Sequence, residues 1–299
     1  MNILEPEIAQ RINHLTLRAL SAVEGMLGGI HMSPHAGSSI EFLEHKQYTP
    51  GDELRQVDWK LLARTDKYYV KQFENETNLR AYAVLDTSAS MDYSSEGRGS
   101  KFDYASRLCA ALAWLLLRQG DAVALAAGAR PSDYIPPRSN AAHFRALVQK
   151  LASLHPSGDG TMSQLLFDLS GRIHRHSMVI VLSDLLEPVE QALQQVKLLR
   201  YRRNEVIVFH VLDPWELEFP FRRLTLFESM EDDREVLADA GVVRKAYLQA
   251  LRGHIATWRS ECLVHGIEYV LMDTSRPISQ SLAEYLAARA SAQSSARRR

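Results

Sequence analysis

Residues 80–90 read RAYAVLDTSAS, an apolar run after Arg80 that ends abruptly in carboxylate and hydroxyl side chains. The run from Ala81 to Leu85 has the composition and length of a short strand. Asp86, Thr87, Ser88 and Ser90 follow, residue types that favour turns and helix caps. From Phe102 to Arg118 the apolar residues recur at helical spacing. A strand, a polar turn and an amphipathic helix make the first unit of an alternating α/β chain.

Outward from that unit the alternation continues. Strands are predicted at 122–127, 178–182, 206–212 and 267–272, and helices at 141–154, 163–174, 189–203, 242–265 and 278–290. Residues 178–184, MVIVLSD, are continuously apolar up to Ser183, as in a strand covered on both faces. Five strands with interposed helices predict a doubly wound, mainly parallel sheet over residues 80–290. Residues 215–240 interrupt it with two short alternating runs around the acidic turn 230–233, which predicts an inserted β-hairpin. Its acidic tip reads as an ordinary solvated turn. Residues 291–299, SAQSSARRR, have no apolar period and read as a disordered tail.

Toward the N-terminus, residues 1–79 form a separate helix and loop/strand-rich module in this reading. Ile8, Ile12, Leu15, Ala19, Ala22 and Met26 lie on one stripe of a helix over 4–27, suited to packing on its own domain. Residues 30–77, crowded with Gly, Pro, His and charge, read as short strands and turns.

Composition narrows the function. The 299 residues carry 35 Lys and Arg against 36 Asp and Glu, a formal net charge of −1. That balance supplies no general attraction to nucleic acid or to an anionic membrane. Cys109 and Cys262 fall among apolar residues of predicted helices, where a reduced, buried thiol is expected. The apolar stretch 110–117 stops at Arg118, far short of the roughly 20 residues a bilayer span needs. The N-terminus, MNILEPEIAQR, carries two glutamates where a secretory signal would carry positive charge. A cytoplasmic protein with no integral membrane segment is the expectation.

The pattern that carries chemistry is D-x-S-x-S at Asp86, Ser88 and Ser90. It stands at the carboxyl end of a predicted parallel strand, where open α/β sheets place their ligands. One carboxylate and two hydroxyls on alternate residues present oxygen atoms to one point, and hard cations prefer oxygen. The same residues would also make an ordinary capped turn. The fold should bring Thr161, in the loop SGDGT, and Asp184, after VIVLS, to the same edge.

In that combination Asp86, Ser88, Ser90, Thr161 and Asp184 resemble the metal-ion-dependent adhesion site of von Willebrand factor A domains. The resemblance covers about residues 80–290. It implies bound Mg²⁺, with Mn²⁺ or Ca²⁺ as alternatives, and a partner protein whose Asp or Glu completes the metal's shell. Asp184 often acts through a water in such sites.

A second resemblance lies upstream. Gly37, Glu41, Phe42, Tyr48, Pro50, Gly51, Asp52, Arg55, Asp58, Trp59, Ala63, Arg64, Val70, Lys71, Phe73, Glu74 and Glu76 are similar to the bacterial family called domain of unknown function 58. Its members are commonly encoded beside MoxR-type AAA+ ATPases, so such an ATPase is the implied partner. Asp52, Arg55, Asp58, Lys60 and Arg64 around Trp59 read as a salt-bridged turn packed by an aromatic ring.

The expectation is a non-enzymatic binding module. The competing reading is a Mg²⁺-dependent phosphoryl hydrolase using the same carboxylates. A phosphoaspartyl phosphatase would place a second Asp two residues after the first, and Ser88 stands there. A nuclease built on Glu41, Glu44, His45 and Lys46 lacks a second acidic partner and a clear strand. No phosphate-binding G-x-x-x-x-G-K-[ST] loop, zinc-spaced His/Cys set or G-x-S-x-G elbow occurs.

Overall fold

The computed structural model describes Leu15 and residues 39–47, 68–76, 79–95, 97, 99–128, 133–158 and 160–296. These fall in two compact units, one within Ser33–Asn78 and the other running from Leu79 onward together with Leu15. In the first unit, strands β1 (Ser39–Gln47) and β2 (Tyr69–Glu76) pair antiparallel, with an irregularity between Phe42 and Glu44. Glu41, Glu44, His45 and Lys46 therefore lie on a strand, within the stretch expected to form short strands and turns. The predicted helix over 4–27 lies outside the described residues except at Leu15, which is helical and buried. The charged turn around Trp59 lies wholly outside them.

The second unit is an α/β sandwich. Its strands are β3 (Arg80–Leu85), β4 (Ala122–Ala127), β5 (Tyr134–Arg138), β6 (Met178–Ser183), β7 (Glu205–Leu212) and β10 (Glu268–Asp273), in the spatial order β10-β7-β6-β3-β4-β5. Five run parallel, and β5 pairs antiparallel with β4 at the edge. The expected sheet thus gains one antiparallel strand. Its sequence is YIPPR, whose prolines argue for a loop; an edge strand tolerates them because one side of its ladder is unpaired.

Alternation along the strands fills both faces. Ala81, Ala83 and Leu85 join one core with helices α1 (Lys101–Arg118), α2 (Ala141–Ser153) and α7 (Ile278–Ala296). Tyr82 and Val84 join the other with α3 (Met162–Ser170), α4 (Val189–Tyr201) and α6 (Ala240–Val264). Every residue of β6 is buried, as its uninterrupted apolar sequence requires. Each of its apolar side chains, Met178 to Leu182, contributes roughly 1.5–3 kcal/mol by burial. The α7 helix runs to Ala296, into the stretch expected to be disordered, and 297–299 lie outside the described residues.

Residues 214–239 supply a short helix, α5 (Pro214–Glu218), and the expected hairpin, β8 (Leu224–Glu228) with β9 (Glu235–Asp239). The hairpin's root is fixed by an aromatic cluster, with Phe219 stacked on Phe227 at 5.7 Å and edge-on to Phe221 at 5.2 Å. Cys109 and Cys262 are free and buried. Among the described residues no helix is long and apolar enough to cross a membrane.

Candidate functional site

From β3 the chain moves outward to β4 and β5, then returns to lay β6 on the other side of β3. Order therefore reverses between β3 and β6, and an open α/β sheet leaves its ligand crevice at the carboxyl ends of such strands. Asp86 follows β3 and Asp184 follows β6. The Asp86 amide donates to the Leu182 carbonyl at 2.9 Å, so the last rung of the ladder fixes the first carboxylate.

Beyond Asp86 the chain turns at once into a single 3₁₀ turn, Ala89–Asp92. Asp86 Oδ1 accepts from the Ser88 amide at 2.9 Å, while Oδ2 accepts from the buried Ser183 hydroxyl. Ser88 Oγ and Ser90 Oγ lie 3.1 Å apart. The D-x-S-x-S spacing thus gathers one carboxylate and two hydroxyls on one turn. Asp86 is buried, and desolvation, reinforced by the negative charge of Asp184, pushes its carboxyl up to about 6.

Asp184 is 1% exposed. Its Oδ2 accepts from Lys101 Nζ at 2.7 Å, and the same ammonium donates to Glu216 Oε1 at 2.7 Å. Lys101 is the first residue of α1, behind a capping box made by Ser100 and Asp103, and its side chain is completely buried. Burial alone would lower its pKa; the two carboxylates outweigh that and raise it, so the amine is charged. Glu216 is itself placed by the cap of α5, where Asp213 and Glu216 satisfy each other's backbone amides. His210, buried on β7 beside this cluster, is pushed down to about 3 by burial and by His254, and stays neutral.

Thr161 is the N-cap of α3: its hydroxyl accepts from the Gln164 amide at 3.2 Å and lies 2.9 Å from Ser163 Oγ. It lines one small crevice with Asp86, Thr87, Gly128 and Gly160. The loop that carries it is tied to the first turn by the Ser157 amide, which donates to the Thr87 carbonyl at 2.9 Å. All five residues named from the sequence therefore stand at one sheet edge, with Asp184 engaged by Lys101 and Thr161 by its own helix.

The sequence of this site region, residues 44–257, matches the family described as protein of unknown function DUF58. The chain belongs to the DUF58 family. Similar proteins include the uncharacterized proteins Mb1516 of Mycobacterium bovis and Rv1480 of Mycobacterium tuberculosis, each 29% identical over 225 residues, 73% of this chain and 69% of theirs. The uncharacterized protein YeaD of Bacillus subtilis is 23% identical over 55% of this chain and 39% of its own length. Among solved structures, the conserved hypothetical protein BatB from Bacteroides thetaiotaomicron shares 16% identity at a TM-score of 0.43, covering 72% of this chain and all of that one. An aerotolerance-related membrane protein from Bacteroides fragilis shares 15% at 0.42, covering 70% and 97%.

Three residues at this sheet edge of the DUF58 chain are not among those the sequence pattern singles out. Lys101 stood just ahead of the predicted helix as an ordinary lysine; its signal was a helix-capping Ser100 immediately before it, which fixes where α1 starts. Glu216 was assigned to the insertion. The third corrects an expectation: the acidic hairpin tip is not simply solvated, because Glu231 Oε1 accepts from the Ser90 amide at 2.7 Å.

The donor chemistry suits a hard cation. Among the described residues no group of three or more His, Cys, Asp and Glu side chains is placed to hold a metal ion. The convergent donors are instead carboxylate and hydroxyl oxygens. Neighbouring ligands of an octahedral Mg²⁺ with bonds of about 2.1 Å stand about 3 Å apart. The 3.1 Å between Ser88 Oγ and Ser90 Oγ fits such a pair.

Proposed function

We propose that this chain is a metal-dependent protein-binding module of the von Willebrand factor A type, in which Mg²⁺ held at Asp86, Ser88 and Ser90 grips an Asp or Glu of a partner. The observation that carries it is the gathering of Asp86, Ser88 and Ser90 beside Asp184 at the β3–β6 switch point. When bound, the metal supplies a positive charge with exchangeable positions that a partner carboxylate can occupy. Thr161 and Asp184 border the donors from the neighbouring loops. Asp184, with one oxygen held by Lys101, is suited to reach the ion through a water.

The chain's own residues set the charge logic. Among the described residues, Asp86, Asp184 and Glu216 stand against the ammonium of Lys101, a cluster with net negative charge. Such a cluster repels an acidic partner until a divalent cation is bound. Ser183 supports the reading from behind, donating to Asp86 while its oxygen accepts from the Leu185 amide at 2.9 Å, so the carboxylate is held in one orientation.

The family resemblance points to a MoxR-type AAA+ ATPase as the partner, within a chaperone-like or assembly system. The test is a pull-down of that purified ATPase on the immobilised full chain. Retention in Mg²⁺, release by chelator and loss in Asp86→Ala support the proposal. Retention that survives both chelator and Asp86→Ala overturns it.

A further inference from the structure

The inserted hairpin is rooted by the aromatic cluster around Phe219, yet most of its body is exposed: Leu224, Leu226, Val236 and Leu237 all face solvent. A two-stranded hairpin is marginal by itself, so what fixes its tip matters. The turn is organised by Ser229, whose Oγ accepts from the Glu231 and Asp232 amides at 3.3 Å each, and by the Asp232–Arg234 ion pair. Arg234 spends its charge on Asp232, which leaves the Glu231 carboxylate to point elsewhere. It reaches a residue 141 positions away, accepting from the amide of Ser90 within the D-x-S-x-S turn.

Its second oxygen lies beside the loop that leads to Thr161. A Cβ built on Gly158 would stand 3.8 Å from Glu231 Oε2 and 3.6 Å from Ala89 Cβ, so the Thr161 loop, the first turn and this carboxylate meet at one place. We infer that Glu231 is an internal carboxylate ligand of the site: the hairpin presents from within the chain the acid that a partner presents from outside, and the partner gains the site by displacing it. This inference rests on the metal-binding reading above and adds to it a built-in competitor.

Being on the same chain, Glu231 acts at an effective concentration of the order of millimolar or more, so weak external acids are excluded and only a partner with further contacts displaces it. The hairpin thereby becomes a filter on what the site accepts.

The test titrates Mn²⁺ alone into the full-length chain, Glu231→Ala and Asp86→Ala, and reads affinity and water-proton relaxation together. Glu231 is exposed, so its replacement leaves the core untouched. The inference predicts that Glu231→Ala binds Mn²⁺ roughly tenfold more weakly or worse and gives a higher relaxation enhancement per bound ion, because a water takes the vacated position. Unchanged affinity and enhancement in Glu231→Ala, with binding lost in Asp86→Ala, overturns the hairpin's role and leaves the metal site standing. No Mn²⁺ binding by the wild type, or full binding by Asp86→Ala, removes the metal site and this inference with it.

Discussion

The ammonium of Lys101 lies 2.7 Å from Asp184 Oδ2, with both side chains almost completely removed from water. The pair joins the start of α1 to the end of β6, and through Glu216 it also reaches the insertion. It therefore fixes one wall of the candidate site at a position remote in sequence from Asp86.

Removing the cation leaves two carboxylates without their common partner. Lys101→Met should cost about 3–5 kcal/mol of stability, the range for breaking a buried pair from one side. Urea denaturation measures it. A loss below 1 kcal/mol would mean that water or a rearranged side chain already compensates Asp184.

Asp121 gives a pH dependence away from the site. It is buried, accepts from the Leu79 amide at 3.1 Å, and desolvation raises its carboxyl from 3.8 to about 6. The folded chain then holds this proton more tightly than the unfolded chain. The contribution is therefore favourable at low pH and is lost as pH climbs from about 4 to about 6. Asp121→Asn should remove that slope and be more stable than wild type at pH 7 by up to about 3 kcal/mol. Thermal melts across this pH range decide it, and parallel curves for the two proteins would contradict it.

Gly128 closes β4 at φ +62°, and a Cβ there would stand 3.0 Å from Thr87 Oγ1. Gly128→Ala should lose about 1–2 kcal/mol to the left-handed backbone, and more as Thr87 is pushed aside. The same movement disturbs the turn carrying Ser88 and Ser90, so metal affinity should fall along with stability in calorimetry. A stable variant with unaltered affinity would show that the crevice wall adapts freely.

Much of this architecture was legible because it is local. Strand and helix periods placed β3, β4, β6, β7 and β10 within a residue or two, and the D-x-S-x-S spacing located Asp86, Ser88 and Ser90 on one turn. What escaped depends on distant pairing. The edge strand Tyr134–Arg138 carries two prolines that only an unpaired sheet edge tolerates. Lys101 is buried only because two carboxylates from other elements converge on it, and neither is near it in sequence. Glu231 looked like one acid among several in a turn; its bond to Ser90 exists only once the hairpin has been folded over the sheet edge.

In the proposed function Asp86 anchors a divalent cation at the β3–β6 switch point. Calorimetric titration of Mg²⁺ into the wild type and into Asp86→Ala tests this anchoring. Saturable binding at one site per chain is expected in the wild type and none in Asp86→Ala, with both proteins folded by circular dichroism. Equal heats in the two, or no binding by the wild type, would show that the D-x-S-x-S turn is a structural cap.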